Sequence, residues 1–154
     1  MLIEKERKAI LAELETSEYP RAACVKALKI VQEHRGFVSD ESIQDIAPML
    51  GMTADELDGV ATFYSFIFRK PVGRHLILVC DSVACWIMGY EDILNYLKER
   101  LGIDFGETTH DGRFTLLPVS CIGDCNHAPA IKVDSRLYGD LNREKIDDIL
   151  ESYT

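Results

Sequence analysis

The chain has 154 residues, of which 47% are hydrophobic and 28% charged, a globular composition that excludes disordered, collagen-like and coiled-coil chains. Its 17 Lys and Arg against 26 Asp and Glu give a net charge of −9, which argues against nucleic acid or an anionic membrane as the main partner. The longest nearly apolar stretch, residues 59–68, is too short to span a bilayer, and the N-terminus lacks the apolar core of a secretory signal. We therefore expect a cytoplasmic protein whose cysteines stay reduced.

The first half of the chain has the periodicity of short helices, with apolar residues recurring at helical spacing in four runs. The third run contains Pro48, which predicts a kink or an early end. The fourth run opens at Thr53 and Glu56, which have the spacing of a capping box. The sequence therefore predicts an N-terminal helical bundle over residues 1–72, and the Pro and Gly of residues 70–73 mark its end.

The second half changes to the alternation of strands and helices. Buried-type strands are predicted at residues 74–80 and 114–120, with an amphipathic helix between them, and a terminal hairpin precedes a helix capped by Asn142. The first two strands should be parallel, joined by a right-handed crossover, and the last two antiparallel. This order is that of a thioredoxin-like domain, which we place at residues 73–154. The expected fold class is thus α+β or α/β, with a helical bundle followed by a thioredoxin-like domain.

Four of the five cysteines form two close pairs, each directly after a predicted strand. Four residues separate Cys80 from Cys85, and three separate Cys121 from Cys125. Neighbouring parallel strands lie about 4.8 Å apart and end at one edge, so both loops can converge on one small ligand. Two sulfide-bridged irons, each held by two thiolates, would fit there. The fifth cysteine, Cys24, lies on an apolar helix face and is interpreted as a structural thiol.

Other ligands of four thiols remain open from spacing alone. Structural zinc also takes four thiolates, although tight Cys-x-x-Cys pairs are usual among its sites. Two disulfides are geometrically feasible but disfavoured in a reducing compartment. A thioredoxin-type redox dithiol requires Cys-x-x-Cys, which this chain lacks. Spacing and strand placement therefore favour an iron–sulfur cluster over zinc and over thiol chemistry.

A longer motif surrounds the second cysteine pair and is complete in this chain. Its positions are Asp111, Phe114, Thr115, Cys121, Ile122, Gly123, Cys125, Ala128 and Pro129. With this motif, and with the segments at residues 59–65 and 73–85, nearly the whole chain resembles the family of the small iron–sulfur subunit of bacterial NADH:quinone oxidoreductase (respiratory complex I).

The resemblance implies a cofactor, its ligands and its partners. It implies that Cys80, Cys85, Cys121 and Cys125 ligate one [2Fe–2S] cluster. That cluster would exchange single electrons with FMN in a partner subunit that binds NADH, and the large iron–sulfur subunit would be a second partner. The chain would then lie in the cytoplasmic, peripheral arm of an inner-membrane-associated complex, without entering the membrane itself.

The same resemblance leaves related complexes open. The equivalent small subunit of an NAD-dependent formate dehydrogenase or of an NAD-reducing hydrogenase shares the module and its cysteine motif. A zinc-stabilised interaction domain without redox activity is a third alternative. No Gly-x-Gly-x-x-Gly motif occurs, so we expect no dinucleotide site of that kind and no NADH oxidation by this chain alone.

We also expect particular roles for four residues near the cysteines. Gly123, between two expected ligands, permits a turn whose N–H groups point at sulfur. His127 is not expected to be a ligand, because four cysteines are available, although histidine replaces cysteine in Rieske centres. Trp86 and Met88 are expected to pack around the cluster loop.

The aromatic segment at residues 59–68 has two interpretations. Most of it is expected to pack in the core of the helical bundle, but four helices this short make a thin core. Part of it is therefore a candidate for docking on the flavin subunit. The candidate docking residues are Phe63, Tyr64, Phe66, Ile67 and Phe68.

Overall fold

The computed structural model describes residues 1–153 and divides the chain into two compact units. The first unit extends from Met1 to Pro71, and the second begins at Val72. Helices alone form the first unit, and helices with a mixed sheet form the second. The fold class expected from the sequence is therefore confirmed. No helix within residues 1–153 is both long and apolar enough to cross a membrane.

The helices of the first unit are joined by short turns. They are α1 (Glu4–Thr16), α2 (Cys24–Arg35), α3 (Asp40–Ile46) and α4 (Ala54–Phe63). One 3-10 turn at Pro20–Ala23 precedes α2, and another at Ala47–Leu50 follows α3. The third helix thus ends before Pro48, as predicted, because proline at an interior helix position removes a hydrogen bond and clashes with the preceding turn.

Side-chain caps fix where α3 and α4 begin. The Ser39 hydroxyl accepts a hydrogen bond from the Ser42 amide at 3.2 Å. At the start of α4, the Thr53 hydroxyl accepts from the Glu56 amide at 3.2 Å, while the Glu56 carboxylate accepts from the Thr53 amide at 2.9 Å. This reciprocal pair is the predicted capping box, which satisfies amides that the helix itself cannot.

One buried ion pair in this unit has no counterpart in the sequence interpretation. Glu6 in α1 is fully buried, and its two carboxylate oxygens accept hydrogen bonds from the Arg35 guanidinium at 2.7 and 2.6 Å. The same carboxylate accepts from the Ile3 amide at 2.9 Å. A buried carboxylate is stable only when it is paired and hydrogen-bonded in this way. The pair ties the start of α1 to the end of α2.

The second unit is built on a four-stranded sheet in the order β2-β1-β3-β4. Its strands are β1 (His75–Cys80), β2 (Phe114–Val119), β3 (Ile131–Val133) and β4 (Arg136–Tyr138). β1 pairs parallel with β2 and antiparallel with β3, and β3 pairs antiparallel with β4. These pairings confirm the parallel first pair and the antiparallel last pair predicted from the sequence.

The helices of this unit are α5 (Val83–Ile87), α6 (Tyr90–Leu101) and α7 (Arg143–Ser152). Side chains of α6 and α7 share one apolar core with inward residues of the sheet, including Ile77, Phe114 and Ile131. Asn142 caps α7, accepting from the Lys145 amide at 2.8 Å, as predicted. The prediction of a single helix between the first two strands is wrong: the left-handed backbone of Gly89, with φ of +99°, separates α5 from α6.

Candidate metal centre

The first cysteine pair lies where β1 turns into α5. Cys80 is the last residue of β1, Cys85 lies within α5, and both side chains are buried. The Ser82 carbonyl accepts from the Trp86 amide at 2.9 Å, which forms the first turn of α5. This turn returns the chain, so that the thiol of Cys85 interacts directly with that of Cys80. The Ser82 hydroxyl lies 3.4 Å from the Cys80 Sγ.

The second pair lies on the loop that follows β2. Cys121 comes two residues after the last residue of β2, Cys125 opens a 3-10 turn, and both side chains are exposed. Gly123 has a φ of +86°, a backbone conformation that favours glycine, and its N–H lies 3.3 Å from the Cys121 Sγ. The predicted glycine turn with an amide directed at sulfur is therefore present.

The two loops meet at one edge of the sheet. Cys80 and Val119, the last residues of β1 and β2, are partners in the parallel register, and the Asp81 amide continues the ladder by donating to the Val119 carbonyl at 3.0 Å. Ile122 of the second loop packs against the buried pair, and its amide is directed at the Cys80 thiol. The expected convergence of the two loops is thus observed in the backbone.

A third segment supports the buried pair from the side of β3. The Ala130 carbonyl accepts from the Cys80 amide at 3.2 Å, and the Ala130 amide is directed at the Cys85 thiol. A cis peptide bond joins Ala128 to Pro129 just before this residue. Ala128 and Ala130 are buried with the two cysteines in a small apolar cluster of their own. The first pair is therefore enclosed by backbone on two sides.

The pKa values of the buried thiols move in opposite directions. Burial by itself raises the pKa of Cys80, but hydrogen bonds from Ser82 and from the Ile122 amide outweigh burial and lower it. Burial raises the pKa of Cys85, and the neighbouring Cys80 raises it further. The Cys80 thiol therefore loses its proton more readily than the Cys85 thiol.

The exposed pair shows the same repulsion. The charge of Cys121 raises the pKa of the Cys125 thiol, and burial, Cys80 and Asp124 raise it further. Four thiolates at this edge are mutually repulsive, so the site is suited to a cationic ligand that accepts all four.

The donor set fits a two-iron cluster. All four thiols are free, and each loop brings its own two together. Within residues 1–153, no three or more His, Cys, Asp or Glu side chains gather closely enough to hold a single metal ion. Two pairs of thiols match, in number and type, the ligands that two sulfide-bridged irons take. Amides directed at Cys121, Cys80 and Cys85 match thiolate acceptors.

His127 is hydrogen-bonded to the segment that follows β4. Its Nδ1 lies 2.9 Å from the Asp140 carboxylate, and that hydrogen bond, followed by the charge of Asp124, raises the pKa of the imidazole. The Asp140 amide donates to the His127 carbonyl at 2.6 Å. The segment after β4 therefore braces the second cysteine loop. The sequence interpretation missed this brace, although Gly139 beside Asp140 marks a turn there.

The expected packing of Trp86 and Met88 around the cluster loop is wrong. Their side chains are 60% and 59% exposed. The physical reason is that α5 is a short helix. Its inward positions are occupied by Ala84 and Cys85, and little space remains beneath the helix. Cys24, expected to be a buried structural thiol, is half-buried against the core of the first unit.

A mixed sheet that presents two cysteine pairs on loops beside its parallel strands defines a class of iron–sulfur proteins. Residues 8–154 match the family described as thioredoxin-like [2Fe-2S] ferredoxin. The chain belongs to this family. The class expected from the cysteine motif and the strand order is therefore confirmed.

Two curated relatives are similar to this chain over nearly its full length. The E subunit of NADH-quinone oxidoreductase from Pseudomonas aeruginosa is 50% identical over 153 residues, covering 99% of this chain and 92% of the relative. The protein of the same name from Escherichia coli K12 is 51% identical over 148 residues, covering 96% and 89%. These relatives confirm the resemblance stated from the sequence.

A solved structure has the same fold. A chain of an NAD+-reducing [NiFe]-hydrogenase in the air-oxidized state superposes with a TM-score of 0.73 at 24% identity. The superposition covers 85% of this chain and 22% of that one. At this identity the likeness concerns the fold alone.

Proposed function

We propose that this chain is the electron-transfer subunit of an NADH:quinone oxidoreductase, with one [2Fe–2S] cluster held by Cys80, Cys85, Cys121 and Cys125. The observation that carries the proposal is the convergence of the two cysteine loops at one sheet edge, with amides directed at their sulfurs. The full-length similarity to the Pseudomonas and Escherichia proteins supports the choice of complex. When bound, the cluster supplies a one-electron centre that exchanges electrons with FMN in the partner subunit.

The two cysteine pairs differ in their exposure to solvent and therefore in their proposed roles. Cys80 and Cys85 are 3% and 2% exposed and keep water from their side of the ligand. Cys121 and Cys125 lie at the surface, where a redox partner can approach. The Gly123 amide donates to the Cys121 sulfur, and such hydrogen bonds to sulfur tune a cluster's potential. The site is thus sheltered on one side and open on the other.

NADH and FMN belong to the partner subunit in this proposal. The sequence carries no Gly-x-Gly-x-x-Gly motif, and a one-electron centre requires no substrate pocket. The large iron–sulfur subunit is the second partner we propose. The chain would lie in the cytoplasmic, peripheral arm of the complex, and the names of its relatives support its membership of such a complex.

The aromatic segment of the first unit supports a docking role for part of its length. Phe63, Tyr64 and Phe66 are 80%, 46% and 45% exposed and line a groove of about 300 Å³. Phe68 is half-buried, and Ile67, at 5% exposure, belongs to the core, so its proposed docking role is wrong. We propose that the three exposed rings dock on the flavin subunit.

The experiment is spectroscopy on the protein purified with whatever binds it. We expect a brown preparation with equimolar iron and acid-labile sulfide, an electron paramagnetic resonance signal on reduction, and copurified FMN. Zinc without sulfide would contradict the cluster, and a hydrogenase or formate dehydrogenase as the copurified partner would contradict the choice of complex.

A matched pair of variants tests the ligands. Cys85→Ser should lose or alter the signal, because it removes a buried thiolate. Cys24→Ser changes the fifth cysteine, which is half-buried in the other unit, and should leave the signal unchanged. Equal signals in both variants would contradict the ligand assignment.

A further inference from the structure

Ser82 precedes α5 in the position of a helix cap, but its hydroxyl does not cap the helix. Its backbone angles, φ of −70° and ψ of 163°, nearly equal those of Ser39, at −78° and 166°. Ser39 caps α3 with its hydroxyl, whereas among the residues that the structure describes the Ser82 hydroxyl makes no capping hydrogen bond to α5. A serine in this position ordinarily accepts from the second or third helical amide. The Ser82 hydroxyl is therefore free for a different contact.

That contact is with the first cysteine pair. The Ser82 Oγ lies 3.4 Å from the Cys80 Sγ, a distance suited to a hydrogen bond with the large sulfur atom, and it is also directed at the Cys85 thiol. Either atom can donate while Cys80 carries its proton. A Cys80 thiolate has no proton left, so the hydroxyl must then be the donor. Because the thiolate is the form that binds metal, Ser82 is a donor to a proposed iron ligand.

Burial makes this hydrogen bond stronger than one at the surface. Cys80 is 3% exposed, and Ser82 is half-buried beside it. A hydrogen bond in surroundings of low dielectric is electrostatically stronger than one in water. A buried sulfur also finds no water to replace the hydroxyl when that donor is removed, whereas the exposed Cys121 does. Ser82 thus acts on the sheltered side of the site.

A substitution can remove the hydroxyl without removing the neighbouring donors. The amides of Ser82 and Ile122 are also directed at the Cys80 sulfur, and both belong to the backbone. Replacing the Ser82 side chain leaves these two amides in place. The contribution of the hydroxyl can therefore be measured by itself.

We propose that the Ser82 hydroxyl donates a hydrogen bond to the Cys80 thiolate and thereby raises the reduction potential of the two-iron cluster. The inference rests on the proposed function and adds to it a side chain that sets how readily an electron is accepted. An added electron increases the negative charge on the ligating sulfurs, so a hydrogen bond to sulfur stabilises the reduced state more than the oxidised state. Ser82 acts through Cys80 and is a positioning residue, not a ligand.

The test uses the full-length, cluster-loaded chain, with the midpoint potential measured by a redox titration followed by electron paramagnetic resonance. Ser82→Ala should shift the one-electron equilibrium about tenfold toward the oxidised state, which equals about 59 mV. A sample poised at the wild-type midpoint would then be about one-tenth reduced instead of one-half. Ser82→Thr keeps the hydroxyl and should restore the wild-type potential.

Two further variants serve as controls. Ser120→Ala removes an exposed hydroxyl directly before Cys121 and should leave the potential unchanged. Ser82→Gly removes the hydroxyl but supplies a residue that caps helices nearly as well as serine, and its potential should fall as far as that of Ser82→Ala. A capping role would instead destabilise Ser82→Ala relative to Ser82→Gly and leave both potentials at the wild-type value.

The outcomes separate the inference from the proposed function. A wild-type potential in Ser82→Ala or Ser82→Gly, with iron and sulfide still bound, overturns the inference and leaves the proposed function supported. A fall of equal size in Ser120→Ala also overturns the inference. Loss of the cluster from both variants without a hydroxyl assigns Ser82 to cluster retention and overturns its role in the potential. A wild-type chain that binds no iron and sulfide overturns the proposed function together with the inference.

Discussion

The backbone of Gly139 lies so close to His127 that a Cβ at residue 139 would be 2.6 Å from the His127 carbonyl oxygen. The same added atom would lie 3.1 Å from the Asp124 carboxylate. Because Asp124 and His127 flank Cys125, the residue after β4 sets how closely the second cysteine loop folds down on the sheet. Only a residue without a side chain permits this approach.

Gly139→Ala should therefore displace the second loop. We expect a loss of about 1–3 kcal/mol in the free energy of unfolding, as in other overpacked sites, and a broadened or shifted resonance signal of the reduced cluster. The control is Gly59→Ala in α4, where an added Cβ meets no atom within 4 Å. That variant should gain about 0.5–1 kcal/mol, since alanine restricts the unfolded chain. Similar stability in the two variants would contradict the close approach.

The buried Glu6–Arg35 pair predicts an acid-sensitive first unit. The hydrogen bond from Arg35 lowers the pKa of the Glu6 carboxyl below its ordinary value, although burial opposes this. A lowered folded-state pKa means that the stabilisation is complete above the unfolded-state pKa of about 4.3, and is lost as the pH falls through the folded-state value. Glu6→Gln should flatten this dependence between about pH 5 and 2.

At neutral pH the same substitution leaves the Arg35 guanidinium without its partner. We expect a loss of about 3 kcal/mol in unfolding free energy, at the low end for broken buried pairs because Arg35 keeps 27% exposure. The control is Glu4→Gln, close by in α1 and 75% exposed in a surface pair with Lys8. That variant should change stability by less than about 0.5 kcal/mol. Parallel pH profiles for both variants would argue against the buried pair.

Thr115 explains why the motif around the second cysteine pair carries a hydroxyl at this position. The side chain is 2% exposed, its Oγ1 accepts from the Gly73 amide at 2.6 Å, and it lies 2.7 Å from the Thr108 hydroxyl. Thr115→Val preserves the shape but leaves the Gly73 amide unpaired, so we expect a loss of about 2 kcal/mol. Thr115→Ser keeps the hydroxyl and should lose about 1 kcal/mol. Chemical denaturation measures both, and a less stable Ser variant would contradict the hydrogen-bond explanation.

Gln32 holds the aromatic segment of the first unit by its backbone. Its amide oxygen accepts from the Phe68 amide at 2.6 Å, and its amide nitrogen donates to the Phe66 carbonyl at 2.9 Å. Gln32→Leu should increase hydrogen exchange at the Phe68 amide about fivefold, because one hydrogen bond contributes roughly 1 kcal/mol. The exposed Gln44 in α3 provides the control as Gln44→Leu. Unchanged exchange at residue 68 in the Gln32 variant would exclude the clamp.

The parts of the fold that could be predicted from sequence are those set by local chemistry. Thr53 with Glu56 and Asn142 with Lys145 are caps whose partners lie three residues away, so their hydrogen bonds follow from spacing. Pro48 ends α3 for an equally local reason. The parallel pairing of β1 with β2 and the antiparallel pairing of β3 with β4 also follow, because connection length and handedness restrict how strands can pair.

The parts that could not be predicted depend on residues distant in sequence. As a glutamate, Glu6 is expected at the surface. It is buried only because it packs beside Arg35, which lies 29 residues away in the sequence. The close approach of Gly139 to His127 joins two loops, and no periodic pattern in the sequence predicts that these loops meet. A large aromatic such as Trp86 is usually buried, which favours an inward position, but α5 is too short to cover it.

Neither edge strand of the sheet in the second unit is suited to pairing with an additional strand. The edge strand β2 contains Pro118, which has no N–H to donate to an added strand. In addition, Thr108 already forms a β-bridge with Thr115, near the start of β2. At the opposite border, β4 is three residues long and starts with Arg136. Strand addition is thereby discouraged on either flank. The domain is left to join larger assemblies through contacts of its side chains, and the sheet edge beside the two cysteine loops stays available for them.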